Sequence, residues 1–262
     1  LYLTKGMRRV FDIHTHILPG IDDGARGLDE SLRLCALGRA NHIRKTVATP
    51  HFNALGDVDN FIEMRNERAE LLRDAVQKNG IDMKIYTGAE VYIDDDIFYS
   101  KNLGRLSING SRYILIEFSF SGLKLRNILE YLNEIYSMGL VPIIAHPERY
   151  EYFQRDYNAV NELASRGVLF QINAASLASR DGREEFELAY EMAFKGVASF
   201  IATDAHSVYG RPNDLAEMLR AFPDDIDQRL MQKMLHSNAE KVLLNEKLPP
   251  LKFRYLEKRR FY

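Results

Sequence analysis

His14 and His16 flank Thr15 at the end of an apolar, β-branched run over residues 10–16. Residues two apart on an extended strand project to the same side, so both imidazoles can reach one metal ion. Asp204 and His206 repeat that spacing just after a similar run, 199–203. His51, Glu90, Glu117 and His146 also stand at or near the ends of such runs, and the loop after the first run adds Asp22 and Asp23, followed by Gly24. Five of the seven histidines fall at these positions, whereas His42 and His236 lie in or beside helical stretches.

Each residue alone has a plainer reading. A single His-x-His is weak, Asp22-Asp23-Gly24 could be only a turn, and Asp204 could cap the following helix. Taken together, His14, His16, Asp23, His51, Glu90, Glu117, His146, Asp204 and His206 point to one centre. Mixed imidazole and carboxylate donors suit manganese first, with iron or zinc as alternatives, rather than calcium or magnesium. The set exceeds the roughly three protein ligands of a typical catalytic ion, so two or three divalent ions are expected. Paired ions favour in-line displacement at phosphorus. Arg149 and Arg211 lie shortly after His146 and His206, where guanidinium forks would match phosphoryl oxygens. The alternative for both is an ordinary surface ion pair.

Seven runs must position these groups: 10–16, 45–50, 84–92, 113–118, 141–146, 168–173 and 199–203. Helical periodicity fills 28–40, 60–78, 125–138, 157–166, 184–195, 215–221 and 226–244. Gly80, Gly139, Gly167 and Gly196 close helices shortly before the next strand, as left-handed C-termini favour. Strand followed by helix, repeated, predicts an α/β chain: a single-domain, distorted TIM-like (β/α)7 barrel, whose strand ends share one face. An open doubly wound sheet is the alternative, but no Gly-rich phosphate loop follows the first strand. The barrel is expected over residues 7–248, with a basic, aromatic tail over 249–262 read as a solvated terminus. Leu1–Gly6 reads as a short extension before Met7.

Of 262 residues, 46% are hydrophobic and 27% charged, ordinary for a globular enzyme, and the net charge of -2 argues against a nucleic-acid partner. No run is long and apolar enough for an integral membrane segment. The single cysteine, Cys35, permits no intrachain disulfide, which with the lack of a signal sequence predicts a cytoplasmic location. A thiolate phosphatase loop would need arginine six positions after cysteine, but Asn41 stands there.

Several stretches resemble the polymerase-and-histidinol-phosphatase (PHP) superfamily, and within it the bacterial tyrosine-protein phosphatases linked to capsule and exopolysaccharide synthesis. They are Asp12-Ile13-His14-Thr15-His16, Ile21-Asp22-Asp23-Gly24, Thr49-Pro50-His51, Gly88-Ala89-Glu90, Leu115-Ile116-Glu117-Phe118, Ala145-His146-Pro147-Glu148-Arg149-Tyr150, Gln171-Ile172-Asn173, Thr203-Asp204-Ala205-His206 and Arg211-Pro212. The resemblance implies three ions: one on His14, His16, Glu90 and Asp204, a second on Glu90, Glu117 and His146, and a third on Asp23, His51 and His206. It also implies phosphate binding by Arg149 and Arg211. The implied activity is phosphomonoester hydrolysis by a metal-bound hydroxide, with a phosphotyrosine protein as substrate, namely a tyrosine kinase of polysaccharide synthesis. Histidinol-phosphate phosphatase, a phosphodiesterase and a silent metal-binding regulator are the rival readings. Oligomeric state and the general acid are not given by the sequence.

Overall fold

The β-branched runs fold into strands because every second side chain finds an apolar neighbour inside the ring and the others find the helices packed outside it. The computed structural model describes residues 9–258. In chain order the elements are β1 (Val10–Thr15), α1 (Leu28–Ala40), β2 (Ile43–Ala48), β3 (His51–Phe52), α2 (Val58–Lys78), β4 (Lys84–Thr87) and β5 (Glu90–Tyr92). Three short 3-10 turns lead to β6 (Tyr113–Glu117), α3 (Leu125–Ser137), β7 (Val141–Ala145), α4 (Glu151–Arg155), α5 (Tyr157–Ser165) and β8 (Leu169–Asn173). The chain continues through α6 (Ala174–Leu177), α7 (Arg183–Lys195), β9 (Phe200–Ala202), α8 (Leu215–Ala221), α9 (Gln228–Gln232) and α10 (Asn238–Leu243).

Every strand pairing is parallel, in the orders β1-β2-β4 and β3-β5-β6-β7-β8-β9. The nine strands make the seven expected staves, because two staves are broken. The run 45–50 begins at Ile43, stops at Ala48 and resumes as β3, Pro50 having no N–H to give a ladder. The run 84–92 breaks at Gly88-Ala89 into β4 and β5. Hydrogen bonds from Gly88 N to Ala48 O (2.9 Å) and Glu90 N to Pro50 O (3.2 Å) carry the ladder across both breaks. Between β9 and β1, Asp204 N donates to His14 O (3.0 Å) and His16 N to Ala205 O (2.8 Å), so the bonding runs right round. The helix expected over 226–244 is divided: a wide π-helical turn, Lys233–Ser237, separates α9 from α10. The short helices α4 and α6 were not foreseen.

Phe11, Ile13, Leu115, Ile143, Leu169 and Phe200 form an apolar plug inside the staves, distinct from the larger core under the helices. Continuing up the same face two residues at a time, Leu115 leads to Glu117, Leu169 to Gln171 and Asn173, and Phe200 to Asp204. The plug therefore gives way to polar side chains at the C-terminal ends of the strands. β1 reaches that arrangement by a register irregularity between Asp12 and Thr15, which shifts the inward set from Phe11 and Ile13 to His14 and His16. Cys35 sits in the outer core, where burial pushes its thiol up to about 12.

The tail expected over 249–262 as a solvated terminus is largely exposed in its described part, but it is anchored at one point. Asn161 and Leu256 exchange two hydrogen bonds (2.7 and 3.1 Å), Leu256 is buried, and Arg254 stacks over Phe194 while its N–H reaches Lys195 O. An apolar anchor between α5 and α7 thus straps the segment down. The expectations for Leu1–Gly6 and the last four residues lie outside the described residues.

The seam between β9 and β1 depends on Asp12, a buried carboxylate that accepts from Thr203 N (3.1 Å) and Thr203 Oγ1 (2.6 Å). Burial raises its pKa to about 6 even though the Thr203 bonds work against that rise. Thr203→Val, which removes one donor from the carboxylate, is expected to lower unfolding free energy by about 1–3 kcal/mol. Because a protonated Asp12 needs fewer donors, the loss should be full at pH 8 and smaller at pH 5. Urea denaturation of both proteins with chelator present, at the two pH values, checks it; equal stability at pH 8 refutes the seam's dependence on this bond.

Candidate metal centre

All nine candidate ligands meet at the C-terminal end of the ring. Three groups have donor atoms within 4.8 Å of one another: His14, His16, Glu90 and Asp204; His16, Asp23, His51 and His206; and His51, Glu90 and Glu117. The first matches the expected ligand set. The second adds His16 to the expected trio of Asp23, His51 and His206. The third holds His51 where His146 was expected, although His146 Nε2 lies 2.7 Å from Glu90 Oε1 and 3.7 Å from Glu117 Oε1. Glu90 is the hub, its Oε2 lying 3.1–3.2 Å from nitrogens of His14, His16 and His51. Burial is graded: His14, His16, Glu90, Asp204 and His146 are inaccessible, Glu117 nearly so, while Asp23 is 66% exposed and opens the site to solvent.

The deepest group has a fixed donor pattern. Ionised Asp204 can only accept, so it takes the N–H of Asn173 Nδ2 (2.9 Å). Asn173 Oδ1 must then accept from Gln171 Nε2 (2.9 Å), leaving Gln171 Oε1 to accept from His14 Nδ1 (2.7 Å). His16 Nδ1 similarly faces Asp22 Oδ2 at 2.7 Å. In their neutral, metal-binding form both imidazoles therefore turn Nε2 lone pairs inward, 3.1 Å apart, and a proton on His16 takes the place of a cation between them when none is bound. Glu90 Oε2 and Asp204 Oδ1 face the same space, and neither has a hydrogen-bond partner. Four acceptors converging in a dry pocket repel one another unless a cation or proton stands between them. The residues present fit divalent metal ions on that ground.

The protein's own groups divide into those that hold a proton, His16 and Glu117, and those that give it up, Asp204 and His206. Burial opposes charge on His16, yet Asp22 and Glu90 outweigh it and hold the ring charged up to about 10. Burial and the neighbouring Glu90 push Glu117 up to about 8. Burial also opposes ionisation of Asp204, but His14 and Arg211 keep its carboxyl below the usual range. Burial and His16 push His206 down to about 4.

Backbone geometry is unusual at two of these candidate residues. His146 has φ 30° and Asp204 φ 53°, in the left-handed region that non-glycine residues seldom adopt. At Gly24 the requirement is space: a Cβ there would lie 2.1 Å from His16 O. That close approach lets Ala25 N bond to His16 O and brings Asp22 against the His16 ring.

Arg211 donates to His206 Nε2 (3.2 Å) and pairs closely with Asp204 Oδ2. Arg149 Nη1 lies 3.8 Å from the same oxygen. Both arginines line a cavity of about 310 Å³ with Arg180, Thr203 and Met218. Sequence reasoning assigned no part to Gln171, Asn173 or Glu148, although Glu148 Oε1 accepts from Asn173 N at 2.7 Å. The i, i+2 logic applied to His14 and His16 would have found Gln171 and Asn173 on the inner face of β8. Asp22 was noticed beside Asp23, but only the fold shows that it orients His16.

Comparison with known proteins agrees with this geometry. Residues 10–244 match the profile described as "Capsular polysaccharide synthesis, CpsB/CapC". The chain belongs to the CpsB/CapC family. It is 34% identical to CapC of Staphylococcus aureus over 247 residues, covering 90% of this chain and 92% of that one. It is 31% identical to tyrosine-protein phosphatase YwqE of Bacillus subtilis, with the same coverage. A solved structure, described with YwqE of Bacillus subtilis and CpsB of Streptococcus pneumoniae as metal-dependent tyrosine phosphatases, superposes with TM-score 0.82 at 28% identity, covering 95% of this chain and 100% of that one. The Mycobacterium tuberculosis phosphotriesterase shares the fold alone, with TM-score 0.55 at 11% identity, covering 89% and 93%.

At pH 7 the metal-free site of this family member carries protons on His16 and Glu117 that coordination must displace. Loading with Mn(II) should therefore release protons, and affinity should fall as pH is lowered. Titration calorimetry in two buffers of different ionisation enthalpy tests this; identical observed heats would refute it.

Proposed function

We propose that the protein is a metal-dependent phosphomonoesterase that removes phosphate from tyrosine in a protein substrate. The observation that carries the reading is the set of acceptor atoms facing one another beneath Arg149 and Arg211. The proposed ligands are His14, His16, Glu90 and Asp204 for one ion, Glu90, Glu117 and His146 for a second, and Asp23, His51 and His206 for a third, with manganese the metal proposed. His51 lies close enough to Glu90 and Glu117 to serve the second group as well. When bound, divalent ions there supply Lewis acidity, making water nucleophilic at neutral pH and offsetting charge on phosphoryl oxygens.

The protein's own groups supply the rest. Arg149 and Arg211 present guanidinium forks to the phosphoryl group from the cavity side. Arg211 is held by Asp204 Oδ2, so part of its orientation is set before substrate arrives. Gln171 and Asp22 lock the His14 and His16 tautomers with Nε2 facing inward. A tyrosine leaving group, with pKa of about 10, departs with less help from an acid than an alkyl alcohol does.

The partner proposed is a phosphorylated tyrosine kinase of polysaccharide synthesis, supported by the family's description and by the names of its relatives. A cytoplasmic location is proposed with it; no helix among the described residues is long and apolar enough to cross a membrane. The test is phosphate release from a phosphotyrosine peptide and from histidinol phosphate, with Mn(II) and with chelator. Turnover of the peptide alone, abolished by chelator and lowered about a hundredfold or more by Arg149→Ala, is expected. Turnover of histidinol phosphate alone would keep the site and overturn the substrate.

A further inference from the structure

We infer that Phe120 is a positioning residue, which holds the Arg149 guanidinium toward the phosphoryl group through the face of its ring. The inference rests on the phosphate-binding reading of Arg149 and names what sets that side chain's direction. Phe120 lies in the turn after β6, three residues beyond Glu117, and no resemblance or spacing drew attention to it.

Its surroundings are specific. The Arg149 Cζ lies over the Phe120 ring, 4.6 Å from its centroid. The ring stacks on Tyr150 (5.6 Å, 29° between planes) and lies 5.7 Å from the His146 ring. Tyr150 is fully buried and its hydroxyl oxygen accepts from Phe118 N (3.1 Å), while Glu151 N donates to Phe120 O (3.1 Å). The turn carrying Phe120 is thus tied at two points to the segment that carries Arg149. Phe120 itself remains 37% exposed at the rim.

Arg149 needs such a hold. It is a long side chain, a third exposed, and the ion contact found for it is Asp204 at 3.8 Å, too far for a hydrogen bond. That carboxylate is already taken by Arg211 and Asn173. An unheld arginine would spend much of its time in water and lose rotamer freedom on meeting phosphate. The negative face of an aromatic ring restrains a guanidinium without consuming its N–H donors, so the fork stays free for a dianion.

The experiment measures inhibition by inorganic phosphate and turnover of a phosphotyrosine peptide in metal-loaded wild type, Phe120→Leu, Phe120→Tyr and Phe120→Trp, with bound metal quantified in each. Phe120→Leu, which keeps the apolar bulk and loses the ring face, should weaken phosphate binding by about two- to tenfold and raise KM more than it lowers kcat, with metal content unchanged. Phe120→Tyr and Phe120→Trp should retain wild-type affinity. Combining Phe120→Leu with Arg149→Ala should add nothing to the arginine change alone. Wild-type phosphate affinity in Phe120→Leu, or an equal loss in all three Phe120 variants, overturns the inference. If Arg149→Ala itself leaves phosphate affinity unchanged, the phosphate-binding reading of Arg149 fails instead.

Discussion

His14 and His16 turn their Nε2 atoms toward each other at 3.1 Å, with Glu90 and Asp204 oxygens facing the same space, and much of the structure is organised around that crowding of donor atoms, which only a shared cation or proton relieves. Like-signed lone pairs in a dry interior are tolerable only when a positive charge compensates them and the walls cannot move apart. The apolar plug beneath supplies rigid walls. Asp12 locks the seam beside His14, and Gly24 permits the loop that fixes His16. Energy stored in left-handed backbone at His146 and Asp204 is likewise sustained only by the packing around it.

The division of each stave into a lower apolar half and an upper polar half explains how stability and chemistry coexist in one ring. Ile13, Leu115, Leu169 and Phe200 bury surface at the bottom, and the same staves present polar side chains one to four residues later. The breaks at Pro50 and at Gly88-Ala89 fall at this level. They let β3 and β5 aim His51 and Glu90 at the centre while β2 and β4 stay in the ladder below.

The convergence of histidines and carboxylates was legible because strand period and residue type coincide: His14 with His16, and Asp204 with His206, share a face by their spacing. The order of staves followed from the alternation of runs and glycine-closed helices. The broken staves carried marks, Pro50 and Gly88, but neither residue says by itself whether a stave ends, bulges or resumes. The π-helical turn at Lys233–Ser237 has no sequence signal of its own within an unbroken amphipathic period. The tail's anchor was not legible because Lys, Arg and aromatic residues dominate the segment, while one leucine, Leu256, and the amide of Asn161 fix it in place. Gln171, Asn173 and Phe120 were missed for a common reason: they act through another side chain, and sequence spacing registers only groups that meet the metal or the phosphate directly.

The line from Asp204 through Asn173 and Gln171 to His14 has a direction. Each amide can be reversed in isolation, exchanging its donor for its acceptor, and only the charged terminus forbids it. Asp204 therefore sends a rule across the floor of the pocket as well as a charge into it, and His14 reads that rule as a choice of nitrogen. Conservative exchanges along this line are then unequal. A change that keeps shape but makes the terminus able to donate could leave the packing intact and still move the hydrogen from Nδ1 to the inward-facing Nε2, a fault visible to chemistry but not to packing.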